Sequence, residues 1–365
     1  MILPPKTPPY GADAANPSPH ANHYERLIRV IREDKPGEVW AGMYREFEAN
    51  YLRWFAKEGM GARPPYQLSR KRLVQTMPEF EALYDELVEL AGGSDPTARL
   101  LSLYNPTPYL SGCSQLVSCF TGSPQLIRNY DYNPNWWEGV TLETNWLGTR
   151  VLGMSDCLWG LLDGINEHGL ALSLTFGGRK VIGDGFGIPL VLRYVLQTCH
   201  STAEAVAQLK RMPAHMAYNV TAVDASGEYS TIYLRPNDAP LVQRVPYATN
   251  HQEANNWTQY VQATHSFDRE RELQLIKSAE NSGLENPLLR FLQPPLFARK
   301  YRRGFGTLYT AAYSPKTRQV TYHWPGKSVE LTLGSLQEQW FSMGYFEPSL
   351  RGLDASELVP HIPLY

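Results

Sequence analysis

The cysteine at position 113 stands where a loop gives way to a strand. The segment YLSGCSQLVSCF, residues 109–120, ends its loop at Gly112 and begins an alternating, half-buried strand with Cys113. A thiol directly after a small, flexible glycine can turn back on the Gly112 carbonyl and form a thioester by an N-to-S acyl shift. Hydrolysis then frees Cys113 as a chain terminus that carries both a thiol and an α-amine, and an amine with a pKa of about 8 serves as general base at neutral pH. The sequence therefore predicts a self-cleaving cysteine that requires no histidine.

Two opposite charges follow Cys113 at a spacing that a hairpin would bring back to it. The segment LIRNYDY places Arg128 and Asp131 fifteen and eighteen residues after the cysteine. The intervening SCFTGSPQL contains the Gly and Pro of a turn, so the two charged residues are predicted on the strand paired with Cys113. Arg128 would lower the pKa of the thiol and Asp131 would hold the new ammonium. On charge spacing alone, the pair also fits a surface ion pair.

A third polar residue and a set of aromatic side chains complete the predicted site. Asn250 in YATNHQ follows an apolar strand end, where its side-chain amide is suited to donate to an oxyanion, although asparagine is also a common turn residue. Several aromatic residues near these positions are predicted either to line an acyl pocket or to pack in a β core: Tyr130, Tyr132, Trp136, Trp137 and Trp159.

Together these residues resemble the N-terminal-nucleophile hydrolase superfamily. Gly112-Cys113, RNYDY, GINEHGLALSLTFGG and ATNH, in this order, look like the acyl-coenzyme A:6-aminopenicillanic acid acyltransferase family, which is related to choloylglycine hydrolase, penicillin V acylase and acid ceramidase. The match covers most of residues 105–325. Each motif is weak by itself, whereas their conjunction is specific.

The resemblance implies a role for each matching residue. Cys113 would be the nucleophile of both self-cleavage and acyl transfer. Arg128 and Asp131 would be the arginine and aspartate of the superfamily's RNxD motif, and Asn250 the asparagine that donates to the oxyanion.

The superfamily also has an arginine after that asparagine, and two residues of this chain compete for the role. Arg269 has the better spacing to Leu273 and Ile276, and Arg271 is its rival. Both remain open at this point.

One position departs from the family pattern. Bile salt hydrolases and penicillin V acylases place an asparagine just after the strand that follows the NExGL turn, and the nearest residue here is Thr175. The second oxyanion donor is then expected to be a backbone N–H or the Thr175 hydroxyl, and bile-salt specificity is not expected.

The elements that must position these residues fall into two groups. Apolar residues at helical spacing over 23–59 and 75–93 predict helices. From about residue 113, short alternating segments predict antiparallel hairpins, interrupted by two helices over 187–212. This arrangement indicates an α+β fold with antiparallel sheets covered by helices. The resemblance implies a four-layer αββα sandwich, in which a helical propeptide, 1–112, and a nucleophile domain, 113–365, pack as one globular unit.

Composition excludes several classes of function. With 34 basic and 36 acidic residues in 365, no overall field favours nucleic acid or an anionic membrane. The proline-rich start has no apolar core of a signal peptide, and no window is long and apolar enough to span a membrane, so a cytoplasmic protein is predicted. The four cysteines show neither a disulfide framework nor metal-binding spacing. No metal or prosthetic group is expected, and the use of acyl-coenzyme A as a co-substrate stays open.

The predicted function is that of a self-processing cysteine acyltransferase or amidohydrolase. Its partner would be a small-molecule amide or acyl donor, and the acyl group would pass to water or to an amine. Two alternatives keep the chain whole, namely a thioesterase-like enzyme and a catalytically silent binding protein of the same fold. A papain-like protease is disfavoured because that fold places its cysteine at a helix N-terminus after a CGSCW-like sequence.

Overall fold

A computed structural model describes residues 23–254, 256–280, 286–324 and 326–347. The proline-rich stretch 1–22 lies outside the described residues. In chain order, the strands are β1 (His23–Glu33), β2 (Gly112–Ser118), β3 (Gln125–Tyr132), β4 (Val140–Thr144), β5 (Val151–Asp156), β6 (Gly160–Asn166), β7 (Ala171–Phe176), β8 (Tyr218–Val223), β9 (Tyr229–Leu234), β10 (Leu241–Gln243), β11 (Tyr247–Ala248), β12 (Arg299–Lys300), β13 (Phe305–Ser314), β14 (Gln319–Trp324), β15 (Lys327–Thr332) and β16 (Gln339–Phe346). The helices are α1 (Glu38–Phe55), α2 (Tyr66–Thr76), α3 (Glu81–Leu90), α4 (Asp95–Leu101), α5 (Ile188–Thr198), α6 (Thr202–Leu209), α7 (Thr258–Ala263), α8 (Ser266–Ala279) and α9 (Pro287–Phe291).

The strands form two sheets that stack face to face. In the described residues, a nine-stranded sheet has the order β10-β9-β8-β7-β6-β5-β4-β1-β16, and a seven-stranded sheet has the order β11-β2-β3-β13-β14-β15 with β12 added to β13. Strands β2 and β3 of the second sheet pack on β7 of the first. Helices α5 and α6 cover the first sheet, and α8 and α9 cover the second. The fold is the four-layer αββα sandwich, as predicted.

The first of the described residues do not form the helix that their sequence predicts. Residues 23–33 form β1, which pairs parallel to β4 and antiparallel to β16. Its apolar residues fit a helix and a strand equally well over so short a run, and the β-branched residues Ile28, Val30 and Ile31 favour the strand once partners are present on both sides. Among the described residues before β2, the chain is therefore mixed, with one strand followed by helices.

The helices that follow β1 share the main hydrophobic core with the rest of the molecule. Helix α1 buries Trp40, Tyr44 and Phe47, and these side chains belong to the same buried cluster as Trp159 and the apolar face of α5. Within the described ranges, no helix combines the length and the apolar character that crossing a membrane requires.

The hairpin that carries the predicted nucleophile forms as expected. Strands β2 and β3 pair antiparallel, with Cys113 opposite Tyr130 and Gly112 opposite Asp131. In the turn between them, Gly122 has φ of 75°, a left-handed conformation that glycine adopts without a steric penalty. Strand β2 is buried along its whole length rather than half-buried, because β7 covers one face and α8 the other.

Candidate active site

The Cys113 side chain is fully buried between the two sheets. Its Sγ lies 3.2 Å from Arg128 Nη2, which donates to it, and 3.9 Å from Ser111 Oγ. Its backbone N–H donates to Asn250 Oδ1 at 2.8 Å. The structure thus brings together the predicted nucleophile, arginine and asparagine.

The groups around the Cys113 thiol shift its pKa in opposite directions. Burial raises the pKa of Cys113, because the thiolate loses its hydration. The Arg128 guanidinium opposes that rise, while the negative charge of Asp131 adds to it. The pKa of the thiol in the uncleaved chain is raised overall, so Arg128 offsets only part of the cost of burial.

Arg128 is itself held in place by a buried aspartate that sequence reasoning missed. Asp163, on β6 of the opposite sheet, accepts from Arg128 Nη1 at 2.7 Å. The hydroxyls of Tyr309 and Tyr313 each donate to the same carboxylate at 2.5 Å. Arg128 and Asp163 are both fully buried, so the ion pair joins the two sheets at the nucleophile. The signal in the sequence is a lone aspartate in the apolar strand GLLDGIN.

Asp131 is bonded to an arginine and a threonine in the uncleaved chain. Arg269 Nη1 lies 2.5 Å from its Oδ2, and Thr307 Oγ1 donates to its Oδ1 at 2.6 Å. Arg269 lies on the buried face of α8, whereas Arg271 is exposed. The structure therefore brings Arg269 into the site and leaves its rival outside. The predicted bond from Asp131 to the ammonium of Cys113 belongs to the cleaved chain.

Asn250 bridges the residues on the two sides of Gly112. Besides accepting from Cys113, its Nδ2 donates to Ser111 O at 3.4 Å and to Phe176 O at 3.2 Å. In the uncleaved chain its amide is therefore occupied by Ser111 and Cys113, on either side of the proposed cut, and by Phe176 at the end of β7.

The loop that carries Asn250 is fixed by two buried side chains of neighbouring strands. Asn219 Nδ2 donates to Thr249 O at 2.9 Å and to His251 O at 3.0 Å, the carbonyls on either side of Asn250. The Thr175 hydroxyl donates to Thr249 O at 2.7 Å and accepts from Asn219. Thr175 thus holds the Asn250 loop in the uncleaved chain, and its hydroxyl proton is not free for an oxyanion. Asn219, opposite Thr175 in the sheet, escaped sequence reasoning because its partners lie on another segment.

Of the predicted aromatic residues, Tyr130 and Tyr132 lie beside the charged centre. The Arg128 guanidinium stands 5.1 Å from the Tyr130 ring, and the Tyr132 ring is 5.9 Å from that of Tyr130. Trp136 contacts the outer side of Tyr132 and is 53% exposed.

The other two tryptophans are core residues. Trp137 stacks on Tyr309 at 5.6 Å within the cluster between the sheets. Trp159 packs on Phe80 at 5.2 Å and donates to Leu101 O, both of which precede Cys113 in the chain. Their surroundings give them a packing role rather than a place in an acyl pocket.

A buried pair of carboxyls lies next to the aromatic residues. The Tyr51 hydroxyl of α1 donates to Glu138 at 2.5 Å and lies 3.3 Å from Asp156 Oδ1, and Tyr109 donates to Asp156 at 3.0 Å. Burial and the neighbouring Glu138 raise the pKa of Asp156 to about 7. Through Tyr51 and Tyr109, this pair ties the residues before Cys113 to those that follow it.

A cleft of about 780 Å³ opens between residues that precede Cys113 in the chain and residues that follow it. Its walls combine residues from both parts of the chain: Lys57, Glu58, Ala62, Arg63, Asn105, Pro108, Ile182, Gly183, Asp184, His215 and Asn237. The predicted catalytic residues are not among them. In the described part of the chain, no three His, Cys, Asp or Glu side chains form a group that would hold a metal ion.

Solved structures and sequence families were compared with the chain. A bile acid hydrolase variant from Clostridium perfringens is 11% identical, with a TM-score of 0.44 over 63% of this chain and 96% of its own. Penicillin V acylase from Agrobacterium tumefaciens is 13% identical, with a TM-score of 0.41 over 61% and 87%. The N-acylethanolamine-hydrolyzing acid amidase orthologue of Caenorhabditis elegans is 16% identical, with a TM-score of 0.34 over 56% and 93%.

Sequence comparison gives a direct assignment. No sequence among the curated proteins matches the chain. The profile of the acyl-coenzyme A:6-aminopenicillanic acid acyl-transferase family matches residues 120–328. That range is more than half of the 365 residues and includes Arg128, Asp131, Asn250 and Arg269, while Cys113 precedes it. The chain therefore belongs to the acyl-coenzyme A:6-aminopenicillanic acid acyl-transferase family.

Proposed function

We propose that this protein is a self-processing cysteine acyltransferase or amidohydrolase that cleaves its own Gly112–Cys113 bond. The observation that carries the proposal is the arrangement around Cys113. Its thiol faces a buried guanidinium, and its backbone nitrogen, the leaving group of the cleavage, is bonded to Asn250. Family membership supports acyl transfer as the class of reaction.

The cleavage step requires only groups of this chain and water. Cys113 Sγ loses its proton and attacks the Gly112 carbonyl carbon. The bond from that carbon to the Cys113 nitrogen breaks as the nitrogen takes up a proton. Water then hydrolyses the thioester, which leaves a carboxylate on Gly112 and restores the thiol.

In the cleaved enzyme, Cys113 would carry its own general base. The α-amine takes the proton of the thiol, and the thiolate attacks the carbonyl of an amide or an acyl-coenzyme A-type donor. The amine or thiol of the donor leaves with that proton. Water or an acceptor amine then attacks the thioester and takes the acyl group. No cofactor takes part, and acyl-coenzyme A enters only as a co-substrate.

The charged residues around Cys113 have separate roles in this proposal. Arg128 lowers the cost of forming the thiolate, and Asp163 keeps Arg128 in place. In the cleaved enzyme, the Asn250 amide that now donates to Ser111 O would instead donate to an oxyanion. Asp131, oriented by Arg269, faces the new ammonium. The cytoplasmic location stays a prediction of the sequence.

Intact mass under denaturing conditions tests the proposal. The full chain and Cys113→Ala are expressed and incubated at neutral pH. The wild type is expected to yield fragments of 112 and 253 residues, the latter being 365 minus 112, whereas the variant stays whole. A wild type that remains whole would refute self-processing and leave the thioesterase-like and silent alternatives.

A further inference from the structure

The carbonyl of Ser111, directly before the predicted cleavage site, is bound by two buried donors. The Tyr260 hydroxyl donates to it at 2.6 Å, and Asn250 Nδ2 donates at 3.4 Å. Tyr260 lies on α7, far from Ser111 in the sequence, and is 4% exposed. A short, buried hydrogen bond to one backbone carbonyl fixes the orientation of that peptide group.

The next peptide group is also held. The Cys113 N–H donates to Asn250, and Gly112 fills a space without room for a side chain. A Cβ at Gly112 would overlap the Phe305 ring and come 3.2 Å from Asp131 Cβ. The chain is thus anchored on both sides of Gly112, whose carbonyl is the target of the thiol.

The Tyr260 ring has little freedom to move. It packs edge-on against Phe176 at 5.0 Å and stacks on Trp257 at 5.7 Å. Trp257 is in turn anchored by its backbone N–H, which donates to Gly178 O at 2.6 Å. Burial raises the pKa of Tyr260 well above its ordinary value, so the hydroxyl stays protonated and remains a donor.

We propose that Tyr260 is a positioning residue for self-cleavage: its hydroxyl fixes Ser111 so that the Gly112 carbonyl is presented to Cys113. The inference rests on the proposed function. After cleavage, Ser111 is no longer covalently linked to Cys113. The Tyr260 hydrogen bond to Ser111 then has no influence on the orientation of Cys113. Tyr260 therefore acts on the maturation of the enzyme and not on the reactivity of the mature thiol.

Two tyrosine-to-phenylalanine variants test whether Tyr260 acts on cleavage and not on the mature thiol. Tyr260→Phe removes the hydroxyl and keeps the ring. Tyr84→Phe is the control, because Tyr84 is also buried and donates to the backbone carbonyl of Ala98 at the same 2.6 Å, within the segment before Cys113. Melting temperatures show whether each variant is folded and whether the two substitutions lower thermal stability by similar amounts.

Two rates are measured for each protein. The first is the rate of Gly112–Cys113 cleavage, followed by intact mass. The second is the rate at which iodoacetamide alkylates Cys113 after cleavage is complete, followed by peptide mass. We expect Tyr260→Phe to cleave about tenfold more slowly than wild type and Tyr84→Phe, and all three to be alkylated at the same rate once cleaved.

The possible outcomes separate the two proposals. Equal cleavage rates for wild type and Tyr260→Phe would overturn this inference and leave the proposed function standing. Slower alkylation of cleaved Tyr260→Phe would also overturn it, because Tyr260 would then act on the mature thiol. A wild type that never cleaves would overturn the proposed function and this inference with it.

Discussion

At the scale of single residues, the reactive centre depends on how a buried positive charge is balanced. Arg128 has no exposed surface and lies against a thiol that is neutral at neutral pH. Asp163 is the carboxylate that pairs with it, and two tyrosine hydroxyls complete the hydrogen bonding of that carboxylate. A buried charge that loses its partner strongly destabilises the fold, because nothing then compensates for its lost hydration.

Substitution of Asp163 tests this balance. We expect Asp163→Asn to lower the free energy of unfolding by about 3–5 kcal/mol, because the guanidinium loses its counter-charge while staying buried. Urea unfolding measures the change. Asp238→Asn is the control, since Asp238 pairs with Arg179 at 3.3 Å but is largely exposed, and the expected change is below about 1 kcal/mol. An Asp163→Asn protein as stable as the control would contradict this role.

Much of the site was predictable from single residues. The residues that the sequence did not reveal share one property. Cys113, Arg128 and Asp131 are linked by a hairpin, so their proximity follows from one turn signal in the sequence. Asp163 and Asn219 act through partners on other segments, and nothing local reveals those partners. The sequence therefore identified the residues proposed to react, and it missed Asp163 and Asn219, which hold Arg128 and the Asn250 loop in place.

At the scale of elements, the predictable parts are those whose partners are close in sequence. The hairpins β2–β3, β8–β9 and β13–β14 follow from alternation and turn residues, and the structure contains all three. Strand β1 was predicted as a helix because its partners, β4 and β16, come from distant parts of the chain. Tertiary pairing decides the conformation of so short an apolar segment.

The stability of the protein is expected to depend on pH through the Asp156 carboxyl beside α1. Tyr51 of α1 binds the carboxyls of Glu138 and Asp156, and the pKa of Asp156 is raised to about 7. An exposed aspartate releases its proton at a pH of about 3.9, so between these values the folded chain binds more protons than the unfolded chain. The contribution of Asp156 to stability therefore falls as the pH rises from about 4 to about 7, and it is constant above that range.

Unfolding at two pH values measures this contribution. Between pH 5 and pH 8, wild type is expected to lose more stability than Asp156→Asn, which has no proton to release at that position. Urea unfolding of both proteins gives the difference, with Asp238→Asn as a surface control. An identical loss in wild type and Asp156→Asn would show that Asp156 does not hold the proton.

At the scale of the whole molecule, the described residues before Cys113, 23–112, are part of the sandwich rather than a separate appendage. Its strand β1 lies inside the larger sheet, between β4 and β16. Its helix α1 contributes Trp40, Tyr44 and Phe47 to the main core. None of these contacts involves the Gly112–Cys113 bond, so they are expected to persist if the chain is cut there.

The two fragments are accordingly expected to stay together after cleavage. Size-exclusion chromatography of the cleaved protein under native conditions should give one peak that contains both fragments, in equal amounts by mass spectrometry. The uncleaved Cys113→Ala chain supplies the reference elution volume. If the 112-residue fragment eluted by itself, the two fragments would not be held together by a common core, contrary to this account.

The most direct test of the central claim is a chemical one, because an N-terminal cysteine differs from every internal cysteine. Only a residue with a free α-amine beside its thiol condenses stably with 2-cyanobenzothiazole. The protein is incubated at neutral pH, denatured and labelled, and the label is located by peptide mass. We expect it on Cys113 of the 253-residue fragment, and on none of Cys119, Cys157 and Cys199. An unlabelled, intact chain would show that Cys113 never becomes a terminal nucleophile, and the proposed mechanism would fall with that result.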